Sequence, residues 1–203
     1  MRAKDFRIRA WQSLSGNWGI AILAYLLVGA VNSAASSLGG VVAWLIVGIV
    51  GVGQASFTLS LARRERASLE QLLDGTKELG NSFVAGLLVC LYTFLWTLLL
   101  IVPGIIKALS YSMTYYILRD NPGMPASVAM ERSENMMIGH KWQLFCLYCS
   151  FIGWYLLSIL TCGILLILVA PYLSQVNAEF YRYLNGEIDF YQETTYDQNS
   201  EQI

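Results

Sequence analysis

Apolar positions run along this chain in long blocks, not at the alternating period of a strand. Residues 18–37, 41–62, 81–102, 105–118, 141–160 and 164–184 form six blocks whose only charged members are Lys107, Lys141, Glu179 and Arg182. A helix of about 20 apolar residues crosses a bilayer, so the blocks read as transmembrane helices paired into three hairpins. The hairpins turn at Gly39-Gly40, Pro103-Gly104 and Thr161-Cys162-Gly163. The middle one, 98–122 (LLLIVPGIIKALSYSMTYYILRDNP), is the organising stretch: Pro103 cannot donate the next helical hydrogen bond, so one apolar run breaks and another begins.

Polar connectors separate the hairpins, and each predicts a short surface helix. Residues 2–15 set Phe6, Ile8 and Trp11 among Arg2, Lys4, Arg7 and Arg9, which suits a helix lying on an anionic membrane surface. Residues 68–79 place Leu69, Leu72 and Leu73 on one side, with Ser68 as N-cap, and residues 125–138 start at Pro125. A secretory signal peptide competes for the first apolar block, but the later blocks match it and favour a retained span. The predicted fold is therefore all-α: a polytopic membrane bundle of six transmembrane helices in three hairpins, with interfacial amphipathic helices.

Composition supports a bilayer solvent. Of 203 residues 56% are hydrophobic and 13% charged, against about a quarter charged in soluble domains. Residues 1–186 read as one integral membrane domain, and 187–203 as an acidic, disordered cytoplasmic tail carrying Glu187, Asp189, Glu193, Asp197 and Glu201. With three hairpins, every Lys and Arg except Lys107 falls on one side, and the positive-inside rule puts both termini there, in the cytoplasm. Trp11, Trp18, Trp142, Tyr115, Tyr116, Tyr181 and Tyr183 are then expected as an interfacial aromatic belt.

An internal repeat is visible. Gly16-Asn17-Trp18, Gly80-Asn81 with Phe83, and Gly139-His140 with Trp142 open the three hairpins alike. Superposing Arg63, Arg119 and Arg182 stacks Ser56 with Ser112 and Gln175, Thr58 with Thr114 and Asn177, and Ser60 with Tyr116 and Glu179. The units, about 1–66, 67–123 and 124–186, are parallel, so the arrangement predicted is pseudo-threefold about the membrane normal.

Candidate chemistry is sparse. Cys146 and Cys149 have C-x-x-C spacing inside an apolar block and read as buried small hydrophobes. His140, the single histidine, reads as a helix-start residue, and no serine sits in a nucleophile elbow. A polar groove is expected from Lys107, Gln175, Asn177 and Glu179. Within it, Lys107 is expected to snorkel to its nearby turn and Glu179 to pair with Arg182 three residues on, while Pro171 offers freed carbonyls. Headgroup contacts are expected from Arg7, Arg9, Arg63, Arg64 and Arg66.

LLIVPGIIKALSYSM, YILRDNP, MIGHKWQLF, SFIGW at 150–154 and PY at 171 followed by AEFY at 178 resemble a family of bacterial multi-pass membrane proteins known only as a domain of unknown function. The resemblance spans residues 10–186. A more distant similarity is to the membrane-anchor domain of some glycerophosphodiester phosphodiesterases, whose catalytic domain has no counterpart here. The resemblance implies an integral membrane location and lends no activity. The expected function is non-enzymatic: binding membrane lipid or another amphiphile, or supporting another membrane protein. The alternative is a small-solute or ion transporter using the polar stripes of the second, fourth and sixth helices. No catalytic, cofactor or metal residue is assigned and no nucleic-acid partner is expected; oligomeric state is left open.

Overall fold

The computed structural model describes residues 3–37, 40–65, 67–161 and 165–188, and among these every regular element is helical. Gly39, Arg66, the Cys162-Gly163 turn and the tail from residue 189 onward lie outside the described residues. The first three helices are α1 (Ala3–Leu14), α2 (Trp18–Ser37) and α3 (Gly40–Ala62). Gly16, at a φ of +90°, lets the chain turn out of α1, and α2 leaves at 97° to it.

A 3-10 helix (Leu69–Thr76) follows α3, and then α4 (Leu79–Leu99), α5 (Ile101–Tyr111) and α6 (Thr114–Asp120). The sequence placed 68–79 on the membrane surface. The structure instead lays the 3-10 helix along the middle of α3, where a Cβ on Gly53 would stand 2.0 Å from the Leu72 carbonyl oxygen. A Cβ on Gly48 would stand equally close to the carbonyl of Ser82 in α4. Bare glycines therefore let two neighbours pack on α3 backbone to backbone, which makes α3 the hub of the fold. Ser68 precedes the 3-10 helix without a side-chain cap.

The α4–α5 turn comes at Leu100, whose φ and ψ of −160° and 136° are extended. Pro103 sits inside the first turn of α5, where its missing N–H has no helical partner to lose. The predicted fourth span is two helices, because the backbone breaks between α5 and α6. One hydroxyl repairs the break: Ser133 donates to the Ser110 carbonyl at 2.7 Å and accepts from the Met113 N–H at 3.2 Å. Ser133 belongs to α7 (Ala126–Met136), which packs one face through Ala126, Ala129, Met130 and Ser133 and leaves Ser127, Val128, Glu131, Arg132 and Asn135 exposed.

The predicted fifth span is also two helices, α8 (Lys141–Cys149) and α9 (Ile152–Leu160), interrupted at Ser150-Phe151. The last helix, α10 (Leu166–Leu184), runs through Pro171 without a break. Among the described residues, Leu79–Leu98 is the one helix long and apolar enough to cross a membrane by itself, and α1 with α2 passes only as a bent pair.

The core lies where α3, α6 and α10 meet, with α1 laid across α10 through Phe6, Ala10 and Phe180. Tyr116 and Tyr181 stack in it at 5.4 Å and are buried, so they leave the expected belt, whereas Trp142 (71% exposed) and Trp11 (57%) fit one. The outer faces are apolar: Leu26 and Leu91 are half exposed, Leu98 is 73% and Leu160 79% exposed. Cys146 and Cys149 share this exposure, which corrects their reading as buried residues.

Candidate functional site

The C-terminal ends of α3, α6 and α10 converge, and each brings the arginine that the repeat alignment superposed. Arg63 grips Asp120 with two parallel hydrogen bonds, Nη1 to Oδ1 at 2.8 Å and Nη2 to Oδ2 at 2.7 Å. It also donates from Nε to Glu187 at 3.0 Å. Arg119 donates to Asp120 at 3.0 Å and to Ser60 Oγ at 2.9 Å. Arg182 donates to the Ala62 carbonyl at 2.6 Å, satisfying an end group of α3, and to Glu179 at 3.1 Å. The Tyr181 hydroxyl completes the shell of Asp120 at 3.0 Å.

Burial alone would raise the Asp120 and Glu187 carboxyls. The hydrogen bonds from Arg63, with Arg119 at Asp120 and Asn185 at Glu187, instead hold both below their ordinary values. Arg63 is held above its own, first through Glu187 and then Asp120. Two expectations change here. Arg63 is engaged in an internal network and not presented to headgroups, and Glu187 with buried Ile188 is docked, so the tail does not begin free at 187.

Glu179 pairs with Arg182 as expected but is 1% exposed, and its other oxygen accepts from Ser13 of α1 at 2.7 Å. Beside it lies a polar pocket of about 190 Å³ walled by Arg9, Ser13, Arg63, Arg64, Glu179 and Arg182. Arg64, at the rim, has a φ of +57° and no acidic partner among the described residues. Arg7 stacks its guanidinium 5.5 Å from the Phe151 ring, away from that pocket.

The four residues of the expected groove do not share one. Gln175 is fully buried; with its amide oriented to suit its neighbours it donates to the Thr58 carbonyl at 3.2 Å and accepts from the Ala62 N–H at 3.0 Å, tying α10 to the end of α3. Asn177 lines a separate cavity of about 320 Å³ with Asn32, Gln54, Ser112 and Ser174, and its Oδ1 is buried without a partner. Lys107 pairs with Glu134 of α7 at 2.5 Å, with the Trp96 and Tyr111 rings each 5.6 Å away. The partner came from a helix that sequence reasoning placed elsewhere, so Lys107 does not snorkel to its own turn. The predicted polar layers are buried at Ser56, Thr58, Ser60, Thr114 and Gln175, but Ser56 and Thr114 hydroxyls find no partner across them.

His140 precedes α8, bonded through Nδ1 to Gln143 at 3.0 Å and edge-on to Tyr183. Among the described residues no three His, Cys, Asp or Glu side chains gather as metal ligands.

Residues 98–187 match a family model described as "Protein of unknown function (DUF975)". The match begins at the end of α4 and closes on Glu187, so it includes Arg119, Asp120, Glu179 and Arg182 but neither α1 nor α3. Neither the curated proteins nor the solved structures contain a match to the chain.

Proposed function

We propose that this chain is a multi-pass integral protein of the bacterial cytoplasmic membrane, built from three helical hairpins, whose role is to bind lipid or another amphiphile without catalysis. One observation carries the reading: α2, α4, α5 and α9 all present large apolar side chains outward, up to 79% exposed at Leu160. Monomeric soluble proteins rarely expose more than a few hundred Å² of contiguous apolar surface, whereas hydrocarbon requires it. The convergence of Arg63, Arg119 and Arg182 supports the three-hairpin repeat, as do the left-handed glycines Gly16 and Gly139 before α2 and α8. Gly80, by contrast, lies within α4.

Both termini and the connectors at 63–79 and 119–140 belong on the cytoplasmic side by the distribution of Lys and Arg, and Lys107, paired with Glu134 of the second connector, then joins that side and is no longer an exception. In a background without the native cysteines, Ser37→Cys is expected to react with an impermeant maleimide in intact cells, and Ser68→Cys only after permeabilisation. The reverse pattern, or release of the protein from membranes by alkaline carbonate, would sink the reading.

Small-solute transport is favoured by one observation of its own, the polar cavity around Asn177. A cation or small-solute flux through wild-type proteoliposomes that disappears in Asn177→Leu, whose side chain lines that cavity, would decide for it. The expected result is no flux from either protein.

A further inference from the structure

The cavity between α2, α3, α6 and α10 has a volume of about 320 Å³ and ten lining residues, none of them charged. It reaches from buried Ala55 and Tyr116 to exposed Asn32. Three side-chain amides and four hydroxyls belong to its wall. Such a wall disfavours ions, because a charged solute would give up its hydration for neutral dipoles with no opposite charge in the wall to offset the loss. A neutral polar solute loses far less.

The polar wall is not closed on itself. Gln54 Nε2 donates to Ser174 Oγ and the Tyr116 hydroxyl to the Ser174 carbonyl, and both bonds are long at 3.4 Å. Asn177 Oδ1 is buried with no partner, and the Tyr115 hydroxyl bonds no protein group among the described residues. Buried polar groups in native proteins are nearly always bonded, so unmet capacity gathered around one cavity points to an occupant. The wall is also built at the backbone. A Cβ on Gly51 would stand 3.0 Å from the Tyr115 ring, so the bare glycine is what lets that ring lie against α3.

The chemistry of that occupant follows from the wall. Amides and hydroxyls donate and accept alike, and the ligand group that answers in both senses without charge is another hydroxyl. Tyr115 and Tyr116 add aromatic carbon, against which the C–H side of such a molecule packs. The volume lies at the low end of the roughly 300–1,000 Å³ of small-molecule sites, so one small molecule fills it. We infer that this cavity binds an uncharged polyol, either as a free solute or as the headgroup of a neutral lipid. The inference names the ligand class for the cavity that the transport reading uses, but it needs no flux, and binding without transport satisfies it.

The test uses the full chain in phosphatidylcholine nanodiscs and glycerol-free buffer, with the signal of empty nanodiscs subtracted. Saturation-transfer NMR reports binding of glycerol and glucose, against glycerate as an anion and ethanolamine as a cation. Monoolein in the same nanodiscs, counted by native mass spectrometry, reports the lipid source. Transfer to a free polyol, or monoolein retention that falls in Asn177→Leu, is the expected result, and whichever is seen names the source. No polyol transfer together with no such retention, or equal transfer to the two ions, would overturn the site. Asn177→Leu is expected to weaken polyol binding roughly tenfold, the equivalent of one well-placed hydrogen bond. An apolar side chain there can disturb the fold, so Tyr115→Phe is the second variant. It removes a hydroxyl that bonds no protein group among the described residues, and is expected to keep the thermal midpoint while binding weakens about threefold or more. Unchanged affinity in Tyr115→Phe, or in a folded Asn177→Leu, would refute the assignment.

Discussion

Asp120→Ala is expected to lower the stability of the fold by about 3 kcal/mol, near the low end for breaking a buried ion pair because Arg63 and Asp120 are 21% and 16% exposed. The change removes the acceptor of two Arg63 bonds, one Arg119 bond and the Tyr181 hydroxyl at once. Glu187 remains on Arg63, which keeps the loss from being larger. Thermal unfolding in mild detergent measures it, and a midpoint within a degree of wild type would show that the cluster is only decorative. The same cluster fixes a pH response. Asp120 and Glu187 are depressed from ordinary values of 3.8 and 4.5, so the unfolded chain takes up protons first. Their stabilisation is complete above about pH 5 and is lost as pH falls through the lower, folded values. Asp120→Ala should flatten that acid limb.

Much of this cluster was legible before any coordinates. Superposing Arg63, Arg119 and Arg182 as equivalent ends of three hairpins anticipated that they belong together, because a repeated unit brings equivalent positions to equivalent places. What the alignment could not supply was their partners. Asp120 carried no reading of its own and Glu187 looked like the start of a tail, since ionic pairing between residues 57 and 124 positions apart leaves no local periodicity. The Glu179–Arg182 pair was readable from its helical spacing; its burial was not, because Ser13 arrives from the far end of the chain.

Helix existence was more legible than helix continuity. The bounds of α2 and α3 follow the apolar blocks closely, whereas 105–118 and 141–160 each break where no proline marks the place. The first break survives because Ser133 of α7 bonds the freed groups, and a hydroxyl in a polar connector carries no sign of that task. Pro103 and Pro171 misled in the opposite sense: one lies in a helix's first turn and the other inside an unbroken helix. The hub itself was overlooked. The organising stretch was placed at 98–122, but the signal was in α3, where Gly48, Gly51 and Gly53 interrupt an otherwise bulky apolar run.

Those glycines set the last expected result. A Cβ on Gly53 would lie 2.0 Å from the Leu72 carbonyl oxygen and 2.7 Å from its carbon, and one on Gly75 would lie 2.0 Å from the carbonyl oxygen of Ile49. Each glycine thus faces backbone on the opposite element, and backbone cannot swing aside as a side chain would. Gly53→Val is expected to cost about 3 kcal/mol or more, the upper range for overpacking, because the whole 3-10 helix must move off α3. Gly53→Ala and Gly75→Ala should each destabilise, yet their double mutant should fall well short of the sum, since the shift forced by the first makes room for the second. Gly29→Ala in α2 is the control: nothing lies within 4 Å of its added Cβ, so helix propensity should leave it neutral or slightly stabilising. Unfolding midpoints of the five variants decide the matter. Strict additivity at Gly53 and Gly75, or a loss at Gly29 equal to theirs, would mean that the 3-10 helix is not seated on α3 through these two contacts.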